Sequence, residues 1–224
     1  MLDVYVGYDP RETVAYHVAC QSILERCSQP VRFTPLSLAT LGGHMRRPRH
    51  PLQSTDFSFS CFLVPFLSNY QGWSLYIDCD MLARADIAEL FALREEARAV
   101  MVCQHDYTPK TASKFLSQAQ APYARKNWSS LMLFNNARCR ALTEDYVNSA
   151  SGLDLHQFKW LADDDEIGAL PLEWNWLVGE YGFNPAARLV HFTLGGPYFP
   201  QWADCDYAEQ WRAVRDRVLS AARG

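Results

Sequence analysis

Paired cysteines are missing from this sequence. Cys20, Cys27, Cys61, Cys79, Cys103, Cys139 and Cys205 form an odd set of 7 with no C-x-x-C spacing. That excludes a disulfide framework and a zinc ribbon and predicts a reducing, cytoplasmic location. Long hydrophobic runs are also absent: no window reaches the ~18 uninterrupted apolar residues that a spanning helix needs. The most apolar stretch, Phe57 to Leu67, is broken by Ser58, Ser60 and Pro65. Met1-Leu2-Asp3-Val4 has no basic segment ahead of an apolar one, so no signal peptide is expected. Positive charge is not in excess: 21 Lys and Arg face 25 Asp and Glu, for a net −4. A broad electrostatic grip on nucleic acid is thereby excluded, and any anion site must be local. Internal repeats and low-complexity linkers are absent too.

What is present is a globular core. Hydrophobic residues make up 49% of the 224 and charged ones 21%, which argues against disorder, collagen-like repeats and coiled coils. At ~150 residues per domain, one compact domain spanning 1–224 is expected. β-formers from Leu2 to Gly7 lead into Gly7-Tyr8-Asp9-Pro10, and Val14, Ala15, Val18, Ala19, Ser22 and Ile23 then recur at helical spacing. Asp9, Pro10 and Glu12 predict an N-cap, a first-turn proline and a capping box. Further strands are predicted at Val31 to Leu36, Ser74 to Ile77, Ala99 to Cys103 and Leu131 to Phe134. Helical segments are predicted at Phe57 to Leu67, Asp86 to Phe91, Ala141 to Val147 and from Asp206 onward. Strands alternating with helices predict an α/β domain with a mainly parallel central sheet flanked by helices, with ligands at the carboxyl ends of its strands. Beyond Leu155 the pattern loosens, and Trp160, Trp174, Trp176, Trp202 and Trp211 suggest a substrate-side cap.

The sharpest chemical signal is Leu75-Tyr76-Ile77-Asp78-Cys79-Asp80, an apolar strand ending in two carboxylates one residue apart. In extended backbone, positions i and i+2 face the same way. Two close carboxylates retain a proton unless a cation sits between them, so the pair invites a hard divalent ion. The competing reading is a turn cap beside a solvated aspartate, the role also read for the second D-x-D at Asp204-Cys205-Asp206. In Arg188-Leu189-Val190-His191-Phe192-Thr193-Leu194-Gly195-Gly196-Pro197 a short apolar run delivers one histidine to a glycine turn. There Gly195 and Gly196 would let backbone approach phosphate while His191 binds metal or serves as a structural hydrogen-bonding residue. Asp78, Asp80 and His191 together suit manganese or magnesium holding a nucleotide diphosphate. Gly42-Gly43-His44-Met45-Arg46-Arg47-Pro48-Arg49-His50 is the dense basic loop, either a phosphate clamp or a solvated surface. Lys126-Asn127-Trp128-Ser129-Ser130 and Trp174-Asn175-Trp176 pair aromatic faces with amides, which suits sugars, although buried tryptophans usually belong to the core.

These residues resemble the metal-dependent retaining glycosyltransferases of the GT-A nucleotide-sugar fold, glycosyltransferase family 8 and its uncharacterised bacterial relatives. The resemblance runs from Leu2 to about Tyr207. Gly7-Tyr8-Asp9 is similar to the acidic turn that meets the nucleotide base, and Leu75 to Asp80 followed by Asp86-Ile87-Ala88-Glu89-Leu90-Phe91 to the D-x-D strand and D-I-x-x-L segment. Asn127 to Phe134 resembles the acceptor-side N-x-G strand, with Ser129 at the glycine position. Asp154-Leu155-His156-Gln157 and Leu170-Pro171 with Trp174-Asn175 resemble a D-Q pair followed by L-P-x-x-W-N. The resemblance implies a Rossmann-like nucleotide-diphospho-sugar transferase domain with a nucleotide-binding half (1–103), an acceptor-side half (104–207) and a C-terminal helix (208–224). It further implies a nucleoside-diphosphate sugar, UDP-linked by preference, as donor and a carbohydrate or other hydroxyl as acceptor. Asp78, Cys79 and Asp80 would lie at the metal and diphosphate, and Gln157 beneath the anomeric carbon. Asn127, Trp128, Ser129, Trp174 and Asn175 would lie on the acceptor side.

Two departures remove positive charge from the leaving diphosphate. Cys61 stands where an arginine is usual before the D-x-D strand, and the closing H-x-x-G-x-x-K-P motif is shortened, without its lysine, at His191 to Pro197. Arg46, Arg47 or Lys126 could substitute; otherwise the chain is an inactive nucleotide-sugar-binding protein. A haloacid-dehalogenase-type phosphatase is the other alternative, with Asp78 as nucleophile and Lys159 and Asp163-Asp164-Asp165-Glu166 as its later motifs. Arg212, Arg215, Arg217 and Arg223 on the last helix form either a peripheral membrane contact or an ordinary exposed face.

Overall fold

A computed structural model describes residues 1–49, 53–106, 108, 113–114, 118–119 and 124–220. Strand β1 (Leu2–Gly7) feeds α1 (Thr13–Leu24), and β2 (Val31–Leu36) is followed by the short α2 (Leu38–Leu41) and by α3 (Val64–Leu67). Then come β3 (Trp73–Ile77), β4 (Met81–Ala83), α4 (Ile87–Ala92), β5 (Val100–Cys103) and the two-residue pair β6 (Ser113–Lys114) and β7 (Gln118–Ala119). The remainder comprises β8 (Leu131–Asn135), α5 (Glu144–Ser149), α6 (Gly152–His156), β9 (Ile167–Leu170), β10 (Trp176–Leu177), β11 (Leu189–His191) and α7 (Ala208–Ser220).

The main sheet runs β2-β1-β3-β8-β5-β9, and only β8 opposes the other strands. Strands β5 and β8 are buried along their whole length and β3 from Ser74 onward, which is why Leu75 to Ile77 and Leu131 to Phe134 read as unbroken apolar runs. This is the expected α/β layering with a mainly parallel sheet. A second sheet, β10-β11-β4, sets β11 antiparallel to β4 with His191 opposite Met81. The chain leaves β3 at Asp78 and enters β4 at Met81, so the D-x-D segment is the joint between the two sheets.

Several local expectations shift. The stretch 57–67 is a 3-10 turn (Ser60–Leu63) followed by the single turn of α3, not one continuous helix. Pro65 offers no N–H, and Ser58 and Ser60 hydroxyls bond the carbonyls of Thr55 and Phe57. The helix predicted from Ala141 begins at Glu144, because Thr143 caps it by accepting the Tyr146 N–H at 3.1 Å. Asp9 caps a 3-10 turn (Pro10–Glu12) ahead of α1, and no capping box forms, since the Glu12 side chain turns inward. The last helix starts at Ala208, directly after Tyr207 at a φ of 63°.

In the tryptophan-rich segment, Trp160 and Trp174 join the main core and Trp211 a second core shared by α1, the small sheet and α7, while Trp176 and Trp202 are half-buried. In the basic loop, Arg46 pairs with Glu144 and Asp145, Arg49 pairs with Asp56, and Arg47 lies 4.2 Å over the Phe59 ring. His50 of that loop and Arg223 of the C-terminal helix lie outside the described residues. On α7, Arg217 pairs with Glu25, Arg215 with Asp216, and Arg212 donates to the Ala203 carbonyl at 2.6 Å. No helix among the described residues is long and apolar enough to cross a membrane.

Candidate functional site

The joint between the sheets assembles the site. Asp78 N–H donates to the Ser130 carbonyl at 3.0 Å and Phe192 N–H to the Asp80 carbonyl at 2.9 Å, so backbone bonds fix both ends of the D-x-D segment. Asp78, Asp80 and His191 then offer ligand atoms that all lie within 4.8 Å of one another. His191 Nε2 is 3.8 Å from Asp78 Oδ2 and 3.4 Å from Asp80 Oδ1. Among the described residues, no other group of three or more such side chains converges this closely.

The surroundings set the chemistry of each member. His191 Nδ1 is 3.0 Å from Asn175 Oδ1, and the Asn175 amide nitrogen donates to Ser130 Oγ at 2.9 Å. With the amide oriented that way, Asn175 accepts the proton on His191 Nδ1 and leaves a lone pair on Nε2 toward the carboxylates. Tyr76 donates its hydroxyl to Asp78 Oδ1 at 2.6 Å. Asp80 Oδ1 is buried with no hydrogen-bond partner, a costly state for a carboxylate oxygen and one that a divalent cation relieves. Two carboxylates and a neutral imidazole form the mixed hard-donor set that manganese or magnesium accepts. Cys79, between the aspartates, is wholly buried, and burial followed by the nearby carboxylates pushes its thiol far up, so it stays protonated.

A carboxylate read in the sequence only as part of a capping box also sits here. Glu12 is 1% exposed and accepts the Tyr198 hydroxyl at 2.5 Å. Burial, then the charge of Asp80, pushes its carboxyl up to about 8. Asp9 behaves oppositely. Burial acts to raise it, but Arg11 and the N–H groups of Arg11 and Asp56 outweigh that and hold it below the ordinary range. Gly7 lies against the Phe57 ring, which would stand 2.6 Å from an added Cβ, and Tyr8 bonds Thr13 Oγ1 at 3.1 Å.

The remaining candidates divide by position. Gly195, at a φ of 130°, and Gly196 lie buried under Trp202 and Tyr198, which would meet an added Cβ at 2.5 and 2.3 Å. Asn127, itself left-handed, reaches Thr193 Oγ1 with its amide nitrogen at 3.3 Å, tying the segment that leads into β8 to the glycine turn. Ser129 Oγ is 2.6 Å from His156 Nδ1. Gln157 ends α6, and its carbonyl accepts from Arg125 at 2.7 Å. Trp128 is half-buried, whereas Trp174 and Asn175 are buried, Asn175 in the layer behind His191. Cys61 is buried close enough to Asp78 for that charge to add to the upward push of burial on its thiol. His105 and Tyr181 were not singled out in the sequence; they bond each other at 2.9 Å, and burial, then His191, pushes the His105 imidazole down to about 3.

Comparison with known proteins follows this geometry. No protein-family model matches the chain. It is 46% identical over 217 residues to Protein CDI of Arabidopsis thaliana, covering 93% of this chain and 83% of that one. Among solved structures it resembles the glycosyltransferase GlyE of Streptococcus pneumoniae TIGR4 at a TM-score of 0.64 and 11% identity, over 96% of this chain and 61% of that one. It resembles the bifunctional glycosyltransferase WbbM at 0.59 and 12% identity, over 96% of this chain. An active-site mutant of LgtC matches at 0.58 and 14% identity, over 96% of both chains. The chain thus spans 49% of the WbbM chain and 61% of the GlyE chain. Likeness at these identities establishes a GT-A-like glycosyltransferase fold.

Proposed function

The chain belongs to the family of Protein CDI of Arabidopsis thaliana, and from that premise and its glycosyltransferase fold we propose that it is a metal-dependent glycosyltransferase. In this reading it moves a sugar from a nucleoside-diphosphate donor, UDP-linked by preference, to a hydroxyl acceptor with retention. The observation that carries it is the convergence of Asp78, Asp80 and His191 at the sheet joint, with Asp80 Oδ1 buried and accepting no hydrogen bond. LgtC, which shares the fold at a TM-score of 0.53, has been solved with donor and acceptor sugar analogues.

Asp78, Asp80 and His191 would hold manganese or magnesium, which supplies charge neutralisation for the departing diphosphate. The protein's own part is preorganisation. Asn175 holds the His191 tautomer, Tyr76 fixes one Asp78 oxygen, and the backbone bonds of Asp78 and Phe192 keep the joint rigid. The buried glycine turn at 195–196 closes one side, and its link through Thr193 to Asn127 sets the acceptor-side strand against it. Gln157 is assigned to face the sugar as it gains positive character, in an oxocarbenium-like transition state. Of the cations considered for the leaving diphosphate, Arg46 pairs with Glu144 and Asp145, Arg47 donates to the Val147 carbonyl at 2.7 Å, and Lys126 is buried beside Asn127.

A thermal-shift titration with UDP and manganese tests the reading. The wild-type chain is expected to gain stability only when both are present, and Asp80→Ala to lose that gain while still unfolding cooperatively. Equal stabilisation of the two proteins would remove the site assignment. Analysis of product anomers by proton NMR decides between retention and inversion.

A further inference from the structure

The first-turn aspartate has no capacity left for a ligand. Val6 of β1 lies opposite Ile77 of β3 in parallel register, so Gly7-Tyr8-Asp9 leaves the sheet alongside Asp78-Cys79-Asp80, at the carboxyl ends where ligands gather. A free carboxylate here would accept an N–H from a nucleotide base. Asp9 is already filled. Its Oδ1 accepts the Arg11 backbone N–H and Arg11 Nε, both at 2.9 Å, and its Oδ2 accepts Arg11 Nη2 at 2.5 Å and the Asp56 N–H at 3.0 Å. An ionised carboxylate has about four lone-pair sites, and these donors use them all. Only 1% of the residue is exposed, so no further donor reaches it.

These bonds join separate parts of the chain. Asp56 is 47 positions from Asp9, and Arg11 Nη2 also donates to the Ser54 carbonyl at 2.8 Å, so the ion pair fastens segment 54–56 to the first turn. Phe57 follows directly, and its ring stands 2.6 Å from where a Gly7 Cβ would be. Neighbouring carboxylates are engaged as well: Asp56 pairs with Arg49, and Glu12 accepts the Tyr198 hydroxyl. Arg11, with 36% of its side chain exposed, is the accessible member of the pair.

We infer that Asp9 is a positioning residue: with Arg11 it clasps segment 54–57 against the first turn as one wall of the nucleotide site, and the preference among donor bases is set without its carboxylate. The nucleotide site itself rests on the function proposed above, whereas the clasp stands on its own bonds. Uracil carries an N–H at N3, and cytosine carries a lone pair there. A carboxylate free to accept would therefore favour UDP over CDP by about tenfold, the worth of one charge-assisted hydrogen bond. A carboxylate filled by Arg11 and Asp56 confers no such advantage.

Calorimetry of UDP and CDP in the presence of manganese, together with amide hydrogen exchange, tests this on the full chain. Asp9→Asn puts an NH2 where an oxygen accepted. Residues 54–57 should then exchange faster, and both nucleotides should bind more weakly by the same factor, the UDP-to-CDP ratio staying as in the wild type. Arg11→Ala is the second variant should Asp9→Asn fail to fold. It uncovers the carboxylate, and the ratio should rise about tenfold. A ratio that falls about tenfold in Asp9→Asn, or one that stays fixed in Arg11→Ala, would overturn the assignment. Unchanged exchange of 54–57 in Asp9→Asn would remove the clasp whatever the nucleotides do. Faster exchange in that variant, with neither nucleotide binding the wild type, would uphold the clasp and sink the donor reading.

Discussion

At the residue scale, the site depends on a neutral side chain buried behind His191. Asn175 holds His191 in the tautomer that frees Nε2, and Ser130 in turn fixes the Asn175 amide. Removing such an outer hydrogen bond typically costs about 10- to 100-fold in metal affinity. Asn175→Leu is therefore expected to weaken manganese binding by about that factor, measured by calorimetry, with the main fold retained; unchanged affinity would show that His191 is not held through Asn175. Glu12 supplies a pH signature. Its carboxyl loses its proton near 4.5 when unfolded but holds it to about 8 in the fold. Between those values the native state binds more protons than the unfolded state, so metal-free stability falls as pH rises through that window. Denaturant unfolding in chelator at pH 5 and pH 8 is expected to show a smaller decline for Glu12→Gln than for the wild type. Parallel declines would show that Glu12 ionises normally.

At the element scale, the glycine turn after β11 is set by sterics. Gly195 combines a φ of 130° with a Trp202 ring 2.5 Å from where a Cβ would stand. Gly42 also has a positive φ, of 55°, but an added Cβ there meets nothing within 4 Å. Strained backbone of this kind costs about 1–3 kcal/mol, and at residue 195 a clash with a packed indole adds to it. Gly195→Ala should accordingly lose more stability than Gly42→Ala in denaturant unfolding and should also weaken UDP–manganese binding. Equal losses would mean that Trp202 moves aside freely.

Across the whole molecule, two cores are stitched together by α1, whose Ile23 lies in the main cluster and Val18 in the second. Helix α7 closes the second core with Trp211 and Val214, and Arg217 of the same helix pairs with Glu25 on the surface. Burial outweighs an exposed pair here. Truncating a buried tryptophan costs about 3–5 kcal/mol, whereas exposed ion pairs are screened and contribute little. Trp211→Ala is thus expected to lower the denaturant midpoint far more than Arg217→Ala. The opposite ranking would assign the docking of α7 to charge.

Periodicity and composition were enough to show an α/β chain with a D-x-D strand and a histidine-bearing glycine turn. β8 is buried along its length and β3 from Ser74 onward, so their apolar runs are continuous, and the carboxylates stand where burial stops. Local pattern could not show what lies beneath those residues. Asn175 looks like a sugar-facing amide in sequence and lies behind His191 in space, and Glu12 looks like a capping residue and ends on Tyr198, 186 positions away. Hydrogen bonds and burial between distant segments are decided only when β11 pairs with β4 and brings the C-terminal third against the first turn. The residue types of the candidate site were therefore written in the sequence, while the hydrogen bond from His191 to Asn175 and the burial of Glu12 against Tyr198 were decided by packing, because each depends on a partner remote along the chain.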